Sequence, residues 1–487
     1  MSIGSVLLRA AQRWPDAVAL VDAASGRRWT FGALAAACAG TGARLRAGGL
    51  EAGARVALLA DAQPEYLFAD YGAMAAGYVR VPLDPALSAA ELANQVKDSE
   101  AQVLLAGDSR RALAEKIAAL VPMRVLPIEE SISEPAWEPL AADTLATLNY
   151  TGGTSSAPKA VMLTHGNLRA ALQNIVMARG AAPGEVMLNV RPLWPIAAVI
   201  VLAHLAAGGT VVLAGSFDPA RFAAELARWR AGSTSLVPTH LVRLLRETSA
   251  PELASLGHLR AIDVGGAGIA PEIFAKALDA LGPKIGVLYG LTEASWSCYQ
   301  SPADLLGADG KVDPARLRSA GRPVFGCDVR IGDGGEVELR GAHVMHGYWK
   351  RPELTREVLR EGWFRTGDEG RLDAAGFLSI TGRIKEVIRS GGKSVQPEEV
   401  ERALCAHAGV AEAAVVGLPD AEWGEIVAAA VVAAPGAQVT PALLMEHCRA
   451  QLSAHKRPKI IRLVETLPRS HYGKVQRAKV KAALTAA

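Results

Sequence analysis

Cysteine is scarce and scattered. The five thiols, Cys38, Cys298, Cys327, Cys405 and Cys448, form no C-x-x-C pair, which argues against a disulfide framework and against a thiolate zinc site. Such usage fits a reducing, cytoplasmic setting. Charge of one sign is lacking too: 52 basic against 49 acidic side chains leave a net +3, too little to hold nucleic acid or an anionic membrane. Any anion must therefore be bound locally. The N-terminus, MSIGSVLLRAAQRWPD, has no basic region leading into a sustained apolar run and a small-residue cleavage site, so it is not read as a secretory signal. Nor is there an unbroken membrane-length segment. PIAAVIVLAHLAAGGTVVLAG, from Pro195 to Gly215, comes near that length, but His204 and Gly208-Gly209 interrupt it. It reads as a buried helix followed by a buried strand.

What is present describes a large globular chain. Its 487 residues exceed the size at which one hydrophobic core stops growing, so at least two domains are expected. Valine-rich runs such as Val56–Leu59, Val103–Leu105 and Val211–Leu213 are short, continuous and separated by alanine-rich stretches of helical period, the pattern of buried, mostly parallel sheets. Near residue 300 the texture changes: Asp328–Ile331 and Glu336–Arg340 read as alternating strands around the turn Gly332-Asp333-Gly334-Gly335, implying a hairpin-rich, barrel-like subdomain. Beyond Gly382 it changes again. Pro397 with Glu398 and Glu399 opens a helix, strands follow near Ala413–Leu418 and Ile426–Ala433, a helix starts at Pro441, and a strand lies near Ile460–Val464. The expected fold class is α/β: a large N-terminal domain of two α/β sheet subdomains plus the barrel-like one, and a small α+β C-terminal domain.

The segment with the strongest chemical content is Leu148-Asn149-Tyr150-Thr151-Gly152-Gly153-Thr154-Ser155-Ser156-Ala157-Pro158-Lys159. A strand runs into glycines that let backbone N–H groups approach phosphate oxygens, hydroxyls that add donors, and one lysine that supplies charge. Polyphosphate binding needs that combination. The spacing is not G-x-x-x-x-G-K-[ST], so it is not the P-loop of a kinase or ATPase, and Gly265-Gly266-Ala267-Gly268 does not complete G-x-G-x-x-G.

Four more segments follow in order: Tyr289-Gly290-Leu291-Thr292-Glu293; Trp363-Phe364-Arg365-Thr366-Gly367-Asp368; Gly382-Arg383-Ile384-Lys385-Glu386 running on to Gly391-Gly392; and Pro468-Arg469-Ser470-His471-Tyr472-Gly473-Lys474-Val475. With them the chain resembles, over essentially its whole length, the superfamily of adenylate-forming enzymes that includes acyl-CoA synthetases, nonribosomal peptide synthetase adenylation domains and beetle luciferases. The resemblance implies a ligase of the acyl-CoA synthetase branch, using ATP, Mg2+ and coenzyme A on a small carboxylic acid, as a monomer or homodimer. It implies an N-terminal domain over 1–382, a hinge at 383–386 and a mobile C-terminal domain over 387–487.

Roles follow residue by residue. Thr151, Gly152, Gly153, Thr154, Ser155 and Lys159 are the expected phosphate loop, and Gly266, Ala267, Tyr289 and Gly290 are expected beside the nucleotide. Tyr289 offers a flat face for adenine, Thr292 can donate to the α-phosphate, and Glu293 can ligate magnesium, a hard cation that prefers carboxylate oxygen. Asp368 is assigned both ribose hydroxyls, with Arg383 reaching the ribose or phosphate. Lys474 is the lysine implied to bridge substrate carboxylate and ATP, and Lys385 aligns with the pivot of a domain rotation. That rotation would bring Arg389, Gly391 and Gly392 to the site for thioester formation.

Some positions depart from the pattern. Ser156 and Ala160 stand where most relatives carry glycine, and Pro195 replaces a histidine that follows an aromatic in many acyl-CoA synthetases. Trp194 through Leu202 contains no carboxylate to pair with an α-ammonium group, and a buried unpaired ammonium would cost several kcal/mol, which argues against an ordinary amino acid substrate. Trp194, Val237, Pro238, Gly265 and Gly268 are candidates for an acyl pocket suited to an apolar or aromatic acid. Two alternatives share the same motifs: a ligase that loads the phosphopantetheine arm of an acyl carrier protein, and a catalytically silent nucleotide-binding homologue.

Overall fold

The continuous β-branched runs become buried strands because both of their faces are covered. A computed structural model describes residues 2–151, 159–390, 393–470 and 473–485, with Lys385 and Ser394 described by their backbone only. The described residues fall into two compact units, one within 1–151, 159–329 and 339–364, the other within 330–338 and 365–485.

The first unit carries two sheets. In the nine-stranded sheet, Val18–Asp22, Thr210–Leu213, Val186–Asn189, Ser233–Leu236, Ala261–Gly265 and Ile285–Tyr289 run parallel in that spatial order, with antiparallel strands at both edges. Leu188, Val212, Leu236, Ile262, Val264 and Ile285 pack with Phe222, Leu241 and Phe274 of the covering helices. Each such side chain contributes about 1.5–3 kcal/mol on burial. In the seven-stranded sheet Arg55–Leu59, Val79–Pro82, Val103–Ala106 and Arg124–Pro127 run parallel, and the strand Leu145–Thr151 turns back antiparallel on Lys159–Thr164. Binding sites in such sheets lie at the carboxyl ends of the strands. The segment read as helix then strand is the helix Ala198–Ala206 followed by Thr210–Leu213, and among the described residues no helix is long and apolar enough to cross a membrane.

The second unit contains the expected hairpin, Gly332 N donating to Glu336 O at 2.7 Å to close its turn. It also contains the antiparallel pairing of Asp368–Leu372 with Leu378–Arg383. Its other sheet pairs Val410–Asp420 with Gly424–Ala433 and adds Ile460–Leu463 in parallel. Alternation sends Val415 to one face and Ala414, Val416 and Leu418 to the other. The first face packs on the helices Pro397–Cys405 and Pro441–Gln451, the second on the terminal helix Arg477–Thr485 through Val480 and Leu484. That last helix was not foreseen from the sequence.

Candidate active site

In the first unit the hairpin register brings Thr151 opposite Lys159, so these two residues frame the glycine-rich loop. Gly152, Gly153, Thr154, Ser155 and Ser156 lie outside the described residues. The Lys159 ammonium sits 4.6 Å from the ring centroid of Tyr348, whose phenol donates to Glu293 Oε1 at 2.8 Å. Glu293 is buried and Thr292 half-buried. Both ride on a tight turn in which Leu291 and Ala294 exchange backbone hydrogen bonds of 3.0 and 3.2 Å directly after the half-buried Tyr289. Gly290 makes this turn possible: a Cβ there would stand 2.6 Å from Trp296 N.

The acyl-pocket candidates come from three segments. Gly265 ends a strand beside Leu236 and Val264, and Gly266, at φ +93°, has Val237 Cγ1 and Arg191 Nη2 within 4.0 Å of the position a Cβ would take. Val237 is buried and caps the helix Pro238–Glu247 with Pro238 in its first turn, while Ala267 and Gly268 are exposed. Trp194 has its own supports: its indole donates to Asp84 Oδ1 at 3.1 Å and its ring packs 5.8 Å from that of Tyr66. The run 194–202 has no carboxylate of its own, but the fold brings Asp84 to it from a different segment.

Beneath Trp194 lies a charge that sequence reasoning passed over. The buried Arg80 guanidinium donates to Asp70 Oδ1 at 2.5 Å, Thr147 Oγ1 at 3.2 Å, Asn149 Oδ1 at 3.1 Å and the Pro195 carbonyl at 3.0 Å. It thereby ties the Trp194-Pro195 corner to the strand Leu145–Thr151.

In the second unit Asp368 and Arg383 are register partners, and Arg383 Nε donates to Asp368 Oδ1 at 2.7 Å. Asp368 is buried. Lys474 is far away in sequence but falls within electrostatic reach of both. It follows a turn closed by Gly473 N to Ser470 O and Ser470 N to Lys474 O, each 2.8 Å, with Gly473 at φ +74°. Burial, joined by Arg383, pushes its pKa below the ordinary lysine value, against the opposite pull of Glu386 and Asp368. The residue is nonetheless exposed to solvent. Arg477 anchors the region, donating to Glu386 at 2.7 Å, Glu398 at 3.1 Å and Glu401. Lys385 falls in the short 3-10 turn Ile384–Glu386, and Arg389 is exposed on the strand Ile388–Ser390. Gly391 and Gly392 lie outside the described residues.

The donor set around Glu293 suits magnesium. Mg2+ usually takes one or two carboxylates, with phosphate oxygens and water completing its shell. Glu293, hydrogen-bonded through one oxygen, retains a second for a cation, and among the described residues no group of three His, Cys, Asp or Glu forms an all-protein cage. A single carboxylate linked through Tyr348 to Lys159 fits magnesium delivered with a nucleotide.

Comparison with known proteins bears on the whole chain. The sequence model of the AMP-binding enzyme family matches residues 7–349, and that of the AMP-binding enzyme C-terminal domain matches 399–474. The chain is similar to a feruloyl-CoA synthase of Amycolatopsis, 34% identical with 98% of each chain covered. It is equally similar, at 34% identity over 98% of this chain and 96% of the relative, to a sulfoacetate–CoA ligase of Cupriavidus necator. Among solved structures, ATP-bound MatB from Rhodopseudomonas palustris superposes with a TM-score of 0.89 at 30% identity, covering 99% of both chains.

Proposed function

The chain belongs to the AMP-binding enzyme family, and on that premise we propose that it is an AMP-forming acid–coenzyme A ligase that works through an acyl-adenylate. The observation that carries this reading is the gathering of Lys474, Arg383 and Asp368 in one unit, with the lysine partly desolvated. Adenylation is a displacement at phosphorus that needs positioning and charge stabilisation far more than acid–base chemistry.

In the first half-reaction an oxygen of the substrate carboxylate bonds to the α-phosphorus of ATP, and the bond to the departing pyrophosphate breaks. Asp368 accepts from the ribose hydroxyls and Arg383 steadies the same end of the nucleotide. The Thr151–Lys159 loop holds the outer phosphates, Tyr289 faces adenine, and Thr292 donates to the α-phosphate. Lys474 offsets the negative charge gathered between carboxylate and phosphate. Glu293 would hold magnesium, which when bound neutralises phosphate charge. In the second half-reaction the thiol sulfur of coenzyme A bonds to the acyl carbon and AMP leaves. Rotation about 383–386, the hinge we assign between a domain over 1–382 and one over 387–487, would make room for the pantetheine arm and present Arg389, Gly391 and Gly392.

The acid is apolar or aromatic, lodged against Trp194, Val237, Pro238, Gly265 and Gly268. A cytoplasmic location is consistent with five scattered cysteines that form no C-x-x-C pair. The test supplies ATP, Mg2+ and a panel of aliphatic and aromatic acids, measuring pyrophosphate release and, by mass spectrometry, acyl transfer to coenzyme A and, separately, to a phosphopantetheinylated carrier protein. A coenzyme A thioester is the expected product. Transfer to the carrier protein alone would move the assignment to a carrier-protein ligase, and silence with every acid would sink it.

A further inference from the structure

Tyr348 touches both groups through which the first unit would hold phosphate and metal. It occupies the strand Gly347–Tyr348, antiparallel to Lys159–Thr164 with Tyr348 opposite Val161. Side chains alternate along a strand, so Lys159, two positions before Val161, falls on the same face as Tyr348 and its ammonium lies 4.6 Å from the ring centroid. At the other end of the ring the phenol oxygen is 2.8 Å from Glu293 Oε1.

The surrounding chain fixes this arrangement. Tyr348 N donates to Thr355 Oγ1 at 2.9 Å, and Met345 N donates to the Glu293 carbonyl at 2.8 Å. Ala294 bridges Val344, so the segment that bears Tyr348 also staples the turn that bears Glu293. A carboxylate with one oxygen so engaged loses rotamer freedom and has its other oxygen left for a cation.

We propose that Tyr348 is a positioning residue for adenylation, its phenol fixing the Glu293 carboxylate for magnesium and its ring face seating the Lys159 ammonium for polyphosphate. The inference rests on the ligase reading above, but its test does not require turnover. Mn2+ is titrated by electron paramagnetic resonance into protein saturated with α,β-methylene-ATP, and binding of the same nucleotide is measured separately in EDTA.

Tyr348→Phe removes the hydroxyl and keeps the ring, so Mn2+ binding should weaken about 10- to 100-fold. Nucleotide binding in EDTA should stay within about twofold, because the seat of Lys159 survives. Tyr348→Leu removes both and should weaken nucleotide binding in EDTA as well. Glu293→Gln reports the coupling from the other side: adding Tyr348→Phe to it should cost little more. In the pyrophosphate assay, high Mg2+ should restore the Tyr348→Phe rate. Parental Mn2+ binding in Tyr348→Phe would overturn the proposal, as would a loss of rate that Mg2+ does not restore or a loss of folded structure by circular dichroism. Parent protein that makes no adenylate while the Mn2+ pattern holds would instead remove the ligase reading and leave the role of Tyr348 standing.

Discussion

Arg80→Met should destabilise the first unit by an amount that grows with pH. The Arg80 and Asp70 side chains are 3% and 1% exposed, and Arg80 also satisfies Thr147, Asn149 and the Pro195 carbonyl. Removing one member of such a buried pair costs about 3–5 kcal/mol at neutral pH, mostly from the charge left behind. Burial already raises the pKa of Asp70 despite the opposing pull of Arg80, and without Arg80 it rises further. The folded-state pKa then lies above the unfolded value of about 3.9, so folding takes up a proton. A group of this kind contributes its stability in full below the unfolded pKa and loses it as pH rises toward the folded pKa. The slope is about 1.4 kcal/mol per pH unit, so the deficit should deepen by up to about 2.7 kcal/mol between pH 5 and pH 7. Urea denaturation followed by tryptophan fluorescence measures it, since every tryptophan except Trp423 lies in the first unit. Adding Asp70→Asn should abolish the extra slope. A deficit constant to within about 0.5 kcal/mol over that range would show that Asp70 keeps its charge by other means, and would refute the reasoning.

Lys474→Ala should slow acyl-adenylate formation by about 10²–10³-fold while preformed acyl-adenylate is still converted to thioester, and equal loss in both assays would make the lysine structural. Because its pKa lies below the ordinary lysine value, parental adenylation should fall on the alkaline side at a pH below that range. Gly290→Ala, whose methyl would stand 2.6 Å from Trp296 N, should cost about 1–3 kcal/mol by thermal melt and weaken adenylation through the Thr292–Glu293 turn; an unchanged melt and rate would show that the turn yields freely. Lys385→Pro locks φ at the residue that aligns with the pivot, so it should leave adenylation within about threefold and lower thioester formation at least about tenfold. Retention of both would put the pivot elsewhere.

Much of the fold was legible because burial on both faces leaves a mark in composition. The valine runs became parallel strands, and the glycine-rich turn at 332–335 became a hairpin. The terminal helix Arg477–Thr485 escaped because its apolar residues, Val480 and Leu484, give only one turn of periodicity among polar neighbours, and its position is set by Arg477 bound to three glutamates from other elements. The same limit applies to Trp194. Its run shows no carboxylate in sequence, and the Asp84 that binds its indole arrives from another segment.

The candidate site was legible where the chemistry constrains residue type locally, as in the 289–293 turn, where glycine, hydroxyl and carboxylate must follow one another. It was not legible where one side chain serves two others across a fold. Tyr348 lies beside Trp349 in a short aromatic pair that composition alone reads as core, and only the register against Lys159–Thr164 turns its ring toward a lysine and its hydroxyl toward a glutamate. Arg80 could have been flagged: a guanidinium inside Val79-Arg80-Val81, in a strand buried on both faces, must find a carboxylate, and Asp70 on the preceding helix is near in the chain. Buried charges in apolar strands therefore disclose that a partner exists, whereas a buried phenol needs only one acceptor, which the fold can supply from anywhere, and so discloses nothing until the strands are paired.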